Sequence, residues 1–238
     1  YNIFIFSQKF YNIFIFSQKF YNIFIFSHMY LLLYPIFNFI LSYNSKFTTI
    51  NNYKKKYIVK NLIKSFGLFY LFINLIDIFL YQKINIIFDD NYINFMGAVY
   101  VGNDFIGILT IPNLPFSTKI HHFITCILYL YTIFFSIKNN DIGKLIVVYC
   151  IFSLIPYSVN TYLGLRYLYN DDNTIIKINK SIARYSYLIG CSMNWSIHIL
   201  FLLSKIINYQ INISHILYYI AIIPIIYDDL ILLSWLKK

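Results

Sequence analysis

Tyr100-Val-Gly-Asn-Asp104 leads into an apolar stretch ending at Ile111, then a bend carrying Pro112 and Pro115, then His121-His122 at the head of a new apolar run. A carboxylate inside one hydrophobic helix and twin imidazoles opening the next are costly in lipid. Such groups persist where something polar happens between them. The rest of the chain reads as membrane-spanning helices, so this stretch decides what kind of bundle those helices make.

The chain has 238 residues, of which 59% are hydrophobic and 12% charged. A soluble domain carries about 25% charged residues. Aromatics reach 21%, with 25 Tyr and 24 Phe. A soluble fold of this length could not hide so much apolar surface, which points to lipid as the main solvent and to one integral domain. The net charge of +10 does not indicate nucleic acid. The basic residues lie between apolar runs, where the partner is the anionic cytosolic leaflet, and the aromatics that would stack on bases are committed to helices. Cys126, Cys150 and Cys191 sit inside apolar segments and read as small hydrophobes without a disulfide framework.

Residues 1–30 are a low-complexity tandem repeat, in which YNIFIFSQKF at 1–10 recurs at 11–20 and YNIFIFS returns at 21–27. Each unit is too short for a bilayer span of about 20 residues or for a solenoid repeat. The functional protein is expected to start near Met29, without a cleaved signal peptide. Residues 31–53 form a first transmembrane helix and its loop, and 54–238 the main membrane domain. Seven apolar segments are expected, at 20–43, 65–81, 92–111, 121–137, 143–165, 185–204 and 215–236. The second and fourth are short, which tilt or local thinning accommodates.

Lysine and arginine placement orients the segments. Lys46, Lys54, Lys55, Lys56, Lys60, Lys64, Lys119, Arg166, Lys177, Lys180, Arg184, Lys237 and Lys238 all fall on one side. The other side collects Lys9, Lys19, Lys83, Lys138, Lys144 and Lys205. The richer side is taken as cytosolic, with the N-terminus lumenal or outside and the C-terminus cytosolic. The third segment then runs toward the cytosol and the fourth starts there. Asp104 and the histidine pair are therefore expected at one depth, joined by the end of the fifth segment from Asn160 to Arg166.

Ser117 or Thr118 is expected to cap the helix that carries the histidines. Near a helix N-terminus a neutral imidazole can act as general base toward an amine or hydroxyl. Two headgroup-level polar residues are the plainer alternative. Asp104 can orient a histidine or pair structurally with Asn103 or a tyrosine hydroxyl. Arg166 can hold a phosphate or snorkel to headgroups. Asn194 and His198, four apart, share a helix face and suit either a helix–helix seam or a cavity wall. Asn74 and Asp77 could pair across the bundle. Asp228-Asp229 must face the interior unless their helix breaks near Pro224. No metal site is expected, because adjacent helix residues diverge by about 100° and His28, His198 and His215 lack zinc-ligand spacing.

An apolar helix ending in Tyr-x-x-x-Asp, a bend, and His-His-x-x-Thr leading the next helix resembles the TLC-domain superfamily. That group includes ceramide synthases, translocating-chain-associating membrane proteins and small TLC-domain proteins of lipid homeostasis. The matching residues are Tyr100, Asp104, His121, His122 and Thr125, and Tyr157 to Arg166 resembles a later family segment. The His-Asp and Glu-x-x-Lys-Met that follow the pair in ceramide synthases are missing, as is a glutamate near Tyr157, so the small divergent members are the nearer likeness.

The resemblance implies an all-α bundle, with six helices around a central cavity, in an endomembrane such as the endoplasmic reticulum. It implies handling of a membrane lipid in a cavity open to the cytosolic leaflet, and Asn160, Arg166, Asn194 and His198 are the expected binding residues. An enzyme alternative is a sphingoid-base N-acyltransferase with acyl-CoA as co-substrate, His121 or His122 as base and Asp104 as orienter, and no bound cofactor. A third alternative, a small-solute transporter, would show paired broken helices and internal repeats. Membrane lipids are the expected partners, and an oligomer is compatible with the sequence.

Overall fold

The computed structural model describes residues 30–81, 89–111, 113–137, 140–170 and 172–238, and it is helical throughout. The tandem repeat, Lys83, Pro112 and Lys138 lie outside the described residues. The helices are α1 (Tyr30–Ser42), α2 (Ser45–Thr49), α3 (Asn52–Leu80), α4 (Asp90–Thr110), α5 (Phe116–Phe134), α6 (Asp141–Leu154), α7 (Tyr157–Leu165), α8 (Thr174–Ile207) and α9 (Ile213–Lys237).

Short polar side chains start most of them. Asn44, Asn51, Asp89, Asn140, Asn173 and Asn212 each accept a hydrogen bond from the backbone N–H two or three residues on, satisfying donors that the first turn leaves orphaned. Asn212 forms a full capping box with His215. Two helices begin differently. α5 follows Pro115 and α7 follows Pro156, neither with a side-chain cap. The expected caps, Ser117 and Thr118, lie inside α5, because Pro115 already starts the helix two residues earlier.

The seven expected spans are found in part. α3, α8 and α9 are long and apolar enough to cross a membrane, and α6 with α7 makes a fourth if that bent pair is one span. α4 and α5 have 21 and 19 residues and carry the polar residues that bring Asp104 and the histidines inward. The second segment is not short: α3 runs over 29 residues because Asn51 caps it well before the apolar stretch begins.

The break in the chain's helices falls at Pro156, where α6 and α7 meet at 44°, and α9 continues through Pro224. Proline removes a backbone donor wherever it sits, and the helix then bends or is supported by its neighbours. The single bent pair among the described residues does not supply the paired breaks that a transporter would show.

The helices alternate in direction. One end gathers the start of α3, the bend after α4 and the end of α7, as in the contact of the Tyr53 hydroxyl with the Asn113 carbonyl (3.4 Å). Lys46 likewise donates to the Tyr169 carbonyl at 2.9 Å. The opposite end gathers Asp90, which accepts from Ser136, and Asp141, which Lys205 meets at 2.8 Å. α3 packs chiefly on α7, α4 on α5, α7 on α8 and α5 on α9.

The core is a mixed apolar cluster through α3, α4, α5, α6 and α9, with Leu71, Met96, Leu128, Val147 and Ile225 at its centre. Outward faces are just as apolar. Leu200, Ile223 and Leu230 are each 60% exposed or more, and only 33%, 22% and 28% of the apolar windows of α3, α8 and α9 are buried. Contiguous greasy surface on that scale exceeds what soluble monomers show and is compatible with a protein embedded in lipid.

Asn74 and Asp77 do not pair across the bundle. The Asn74 amide donates to the Tyr70 carbonyl within its own helix, and Asp77 is exposed, because the face of α3 that meets the other helices carries Leu71, Leu75 and Ile78 instead.

Candidate functional site

A cavity of about 380 Å³ opens among α3 to α9 toward the end that holds the start of α3. Its walls combine apolar side chains such as Leu68, Phe152, Val159 and Leu232 with a concentration of charge.

Asp104 is fully buried and forms an ion pair with Lys64 of α3. The ammonium of Lys64 also lies 4.8 Å from the centre of the Tyr100 ring, a favourable cation–π placement. His122 places Nδ1 3.1 Å from the same Asp104 oxygen, yet that nitrogen has no aligned hydrogen bond, and neither does the second Asp104 oxygen. The contact is one of charge proximity rather than a formed hydrogen bond. The expected partners of Asp104, Asn103 or a tyrosine hydroxyl, are thus displaced by a cation, which compensates a buried carboxylate far better than a neutral group does.

His121 belongs to a separate relay. Its Nδ1 is 3.1 Å from Asp228 and its Nε2 is 3.1 Å from the Tyr149 hydroxyl. The tautomer that donates to the carboxylate accepts from the tyrosine. Tyr149 in turn meets the Tyr100 hydroxyl at 3.3 Å, and Thr118 donates to Asp228 at 3.2 Å. Asp229 accepts from Tyr187 at 2.6 Å and from the Trp195 indole at 3.0 Å. The two aspartates of α9 therefore face the interior, as their cost in lipid requires. Each adjacent histidine has its own carboxylate, on helices to either side of α5.

Arg166 closes the cavity. Its guanidinium lies 4.6 Å from the Trp235 ring, 4.7 Å from Tyr167 and 5.9 Å from Tyr57. It donates to the Tyr167 hydroxyl at 3.0 Å, and its Nε is buried without a partner. Asn160 and Asn194 line the same cavity, and the Asn194 side-chain oxygen is also unpartnered. His198 does not line it. Its Nδ1 meets the Asn194 carbonyl at 2.8 Å and its Nε2 meets Tyr218 at 2.9 Å, so the fourth residue along from Asn194 is turned into a seam with α9.

Sequence reasoning passed over Lys60 and Lys64 by counting them as loop charges. Both are buried, at 4% and 9% exposure, and both line the cavity. The available signal was their spacing: Lys56, Lys60 and Lys64 recur every four residues among Ile58, Val59, Leu62 and Ile63, which places them along one face of a helix. Tyr149, Tyr187 and Trp195 were unrecognisable among so many aromatics.

The fold and the cavity define a helical protein with an apolar exterior and an ionic interior. No family model, curated protein or solved structure matches the chain.

Proposed function

We propose that this is a multi-pass membrane protein of TLC type that binds or handles a lipid in this cavity, serving lipid homeostasis or membrane composition. In this reading α1, α3, α4, α5, the bent pair α6–α7, α8 and α9 are the seven spans, and the last six surround the chamber. The lengths of α4 and α5 support their inclusion, since about 20 residues cover the hydrocarbon core. The chamber opens to the cytosolic leaflet of an endomembrane, the endoplasmic reticulum foremost. Exposed Lys54, Lys56 and Lys177 at that end support a cytosolic placement of it and of the C-terminus.

The observation that carries the reading is the inversion of polarity. Lys64, His121, His122, Asp228 and Asp229 converge on one cavity, with Asp104 buried behind Lys64 and His122, while the outer helix faces are apolar. Ligand sites between bundle helices have this make-up, mostly apolar with a few convergent polar groups. The test is photo-crosslinking of the purified protein with a photoactivatable single-chain lipid, followed by peptide mapping. Labelling of Asn160, Leu163 or Leu232, competed by unlabelled lipid, supports the chamber. Labelling confined to outward residues such as Phe123 and Leu200 overturns it.

One observation favours an enzyme, an acyl-CoA-dependent sphingoid-base N-acyltransferase. His122 lines the cavity, and its Nδ1 lies 3.1 Å from Asp104. A carboxylate beside the ring and open space in front of it are what a general base toward a substrate amine needs. His121, engaged at both nitrogens, would polarise the Tyr149 hydroxyl. Turnover of labelled acyl-CoA by the wild type, abolished in His121→Ala/His122→Ala, would establish it. Equal output from both proteins would eliminate it.

A further inference from the structure

We infer that the cavity receives the oxyanionic headgroup of a single-chain lipid, phosphate or carboxylate, on Lys60 and the free edge of Arg166. The inference rests on the lipid-binding reading and names its ligand class.

Lys60 carries the argument. It is 4% exposed and lines the cavity, yet among the described residues it makes no hydrogen bond or ion pair. The carboxylate behind that wall, Asp104, does not line the cavity and is already engaged by Lys64 with His122 beside it. Two buried ammonium groups therefore face one buried carboxylate there. The carboxylates that line the cavity are on α9 and satisfied, Asp228 by His121 and Thr118 and Asp229 by Tyr187 and Trp195. An uncompensated buried charge is strongly unfavourable, and an incoming anion relieves it.

The space for Lys60 is built in. A methyl group on Gly107 of α4 would lie 2.1 Å from the Lys60 nitrogen, so only glycine lets the ammonium rest where it does.

Arg166 is the second cation. Tyr57, Tyr167 and Trp235 surround its guanidinium, N–H groups are used on the Tyr167 and Tyr57 hydroxyls, and Nε has no partner. Aromatic contacts of this kind fix the plane and leave N–H edges for a planar or tetrahedral oxyanion, which arginine grips with two donors at once. Tyr57 and Lys60 lie three apart on one face of α3, so the arginine's aromatic setting and the free ammonium are neighbours. The volume of about 380 Å³ stands at the low end of ligand sites, roughly 300–1,000 Å³, and suits a headgroup with part of one chain.

The test measures binding of 1-oleoyl lysophosphatidate, oleate, 1-oleoylglycerol and inorganic phosphate to the full chain in phosphatidylcholine nanodiscs. The two tailed anions are expected to bind at least about tenfold more tightly than the glycerol ester, as a charge-assisted contact requires. Their comparison distinguishes phosphate from carboxylate. Lys60→Gln and Arg166→Gln should each remove about that factor for the anions and leave the glycerol ester unchanged. Gly107→Ala, which keeps every charge but displaces the Lys60 head, should act in the same direction and decides the matter if Lys60→Gln fails to fold. Equal affinity for the three tailed ligands overturns the headgroup inference and leaves the lipid chamber standing. Binding of inorganic phosphate as tight as that of lysophosphatidate overturns the lipid source of the anion. Failure of every tailed ligand to bind removes the lipid reading itself.

Discussion

Breaking the Lys64–Asp104 pair is the sharpest test of how this interior is held together. Asp104 is fully buried and Lys64 nearly so, so neither can recover hydration if its partner is removed. Asp104→Leu strands Lys64, with Lys60 beside it, in an apolar setting. Lys64→Met strands the carboxylate, with His122 as its nearest partial compensation at 3.1 Å. Loss of one partner of a buried pair costs about 3–5 kcal/mol, whereas replacing both by well-packed apolar residues is often neutral. At about 2–4 °C per kcal/mol for a domain of this size, each single variant should melt roughly 6–20 °C below the wild type. The double variant should recover most of that loss. A thiol-reactive dye follows the melt directly, because Cys126, Cys150 and Cys191 are free and buried or half-buried, so they react as the bundle opens. The expected coupling between the sites is about 3 kcal/mol or more. Additive losses, within about 0.5 kcal/mol, would mean that the two charges do not depend on each other and would refute the paired interior.

Gly190→Ala should destabilise the bundle by about 1–3 kcal/mol, since the new methyl would lie 2.9 Å from the Phe152 carbonyl oxygen and 3.3 Å from the Pro156 ring, neither of which can step aside. Gly107→Ala should cost much less in thermal melts, because the atom it meets is the end of a flexible lysine. Tyr187→Phe removes a 2.6 Å bond to Asp229 and should lower stability by about 1.5–3 kcal/mol, the usual worth of a hydrogen bond to a charged group. Asp228→Leu leaves both Thr118 and His121 Nδ1 without their acceptor, and should release His121, seen as a changed histidine ring resonance by NMR and a lower melting point. No change in that resonance would argue against the relay.

The meeting of Asp104 with His122 could be read from the chain because direction and rise per residue fix depth, whereas the pairing of His121 with Asp228 could not. One helix descends to Thr110, the next ascends from Phe116, and residues equally far from the bend face each other. The cation that neutralises Asp104 could not be read so easily. Hydropathy starts the second segment at Ser65 and leaves Lys60 and Lys64 in a loop, whereas Asn51 accepts the Lys54 N–H and begins the helix far earlier. A cap outranks hydropathy in setting where a helix starts, and here it brings the lysine-bearing residues 52–64 into α3. Of the two readings open for His198, seam or cavity wall, the hydrogen bonds show the seam. Spacing of four puts it on the face of Asn194, but the cavity stops short, and Tyr218 of α9 fills the next turn. Periodicity names a face and does not say how far a cavity runs along it.

The kink at Pro156 explains why these groups can share one chamber. A straight continuation of α6 would carry Asn160 and Arg166 along the axis set by Tyr149 and Ser153. The 44° bend redirects α7, which packs chiefly on α3 and α8, and sets Arg166 against Tyr57 of α3 and Trp235 of α9. The bend needs close approach on both flanks. Gly190 lets α8 reach the carbonyl of Phe152, and Gly164 lets Leu62 and the Ile58 carbonyl of α3 reach α7, where a methyl would lie 2.8 Å from Leu62. Backbone features with no charge of their own therefore determine where the charged groups meet. Proline bends the span, two glycines seat it, and the arginine beyond them closes a cavity that the lysines of α3 and the aspartates of α9 make polar.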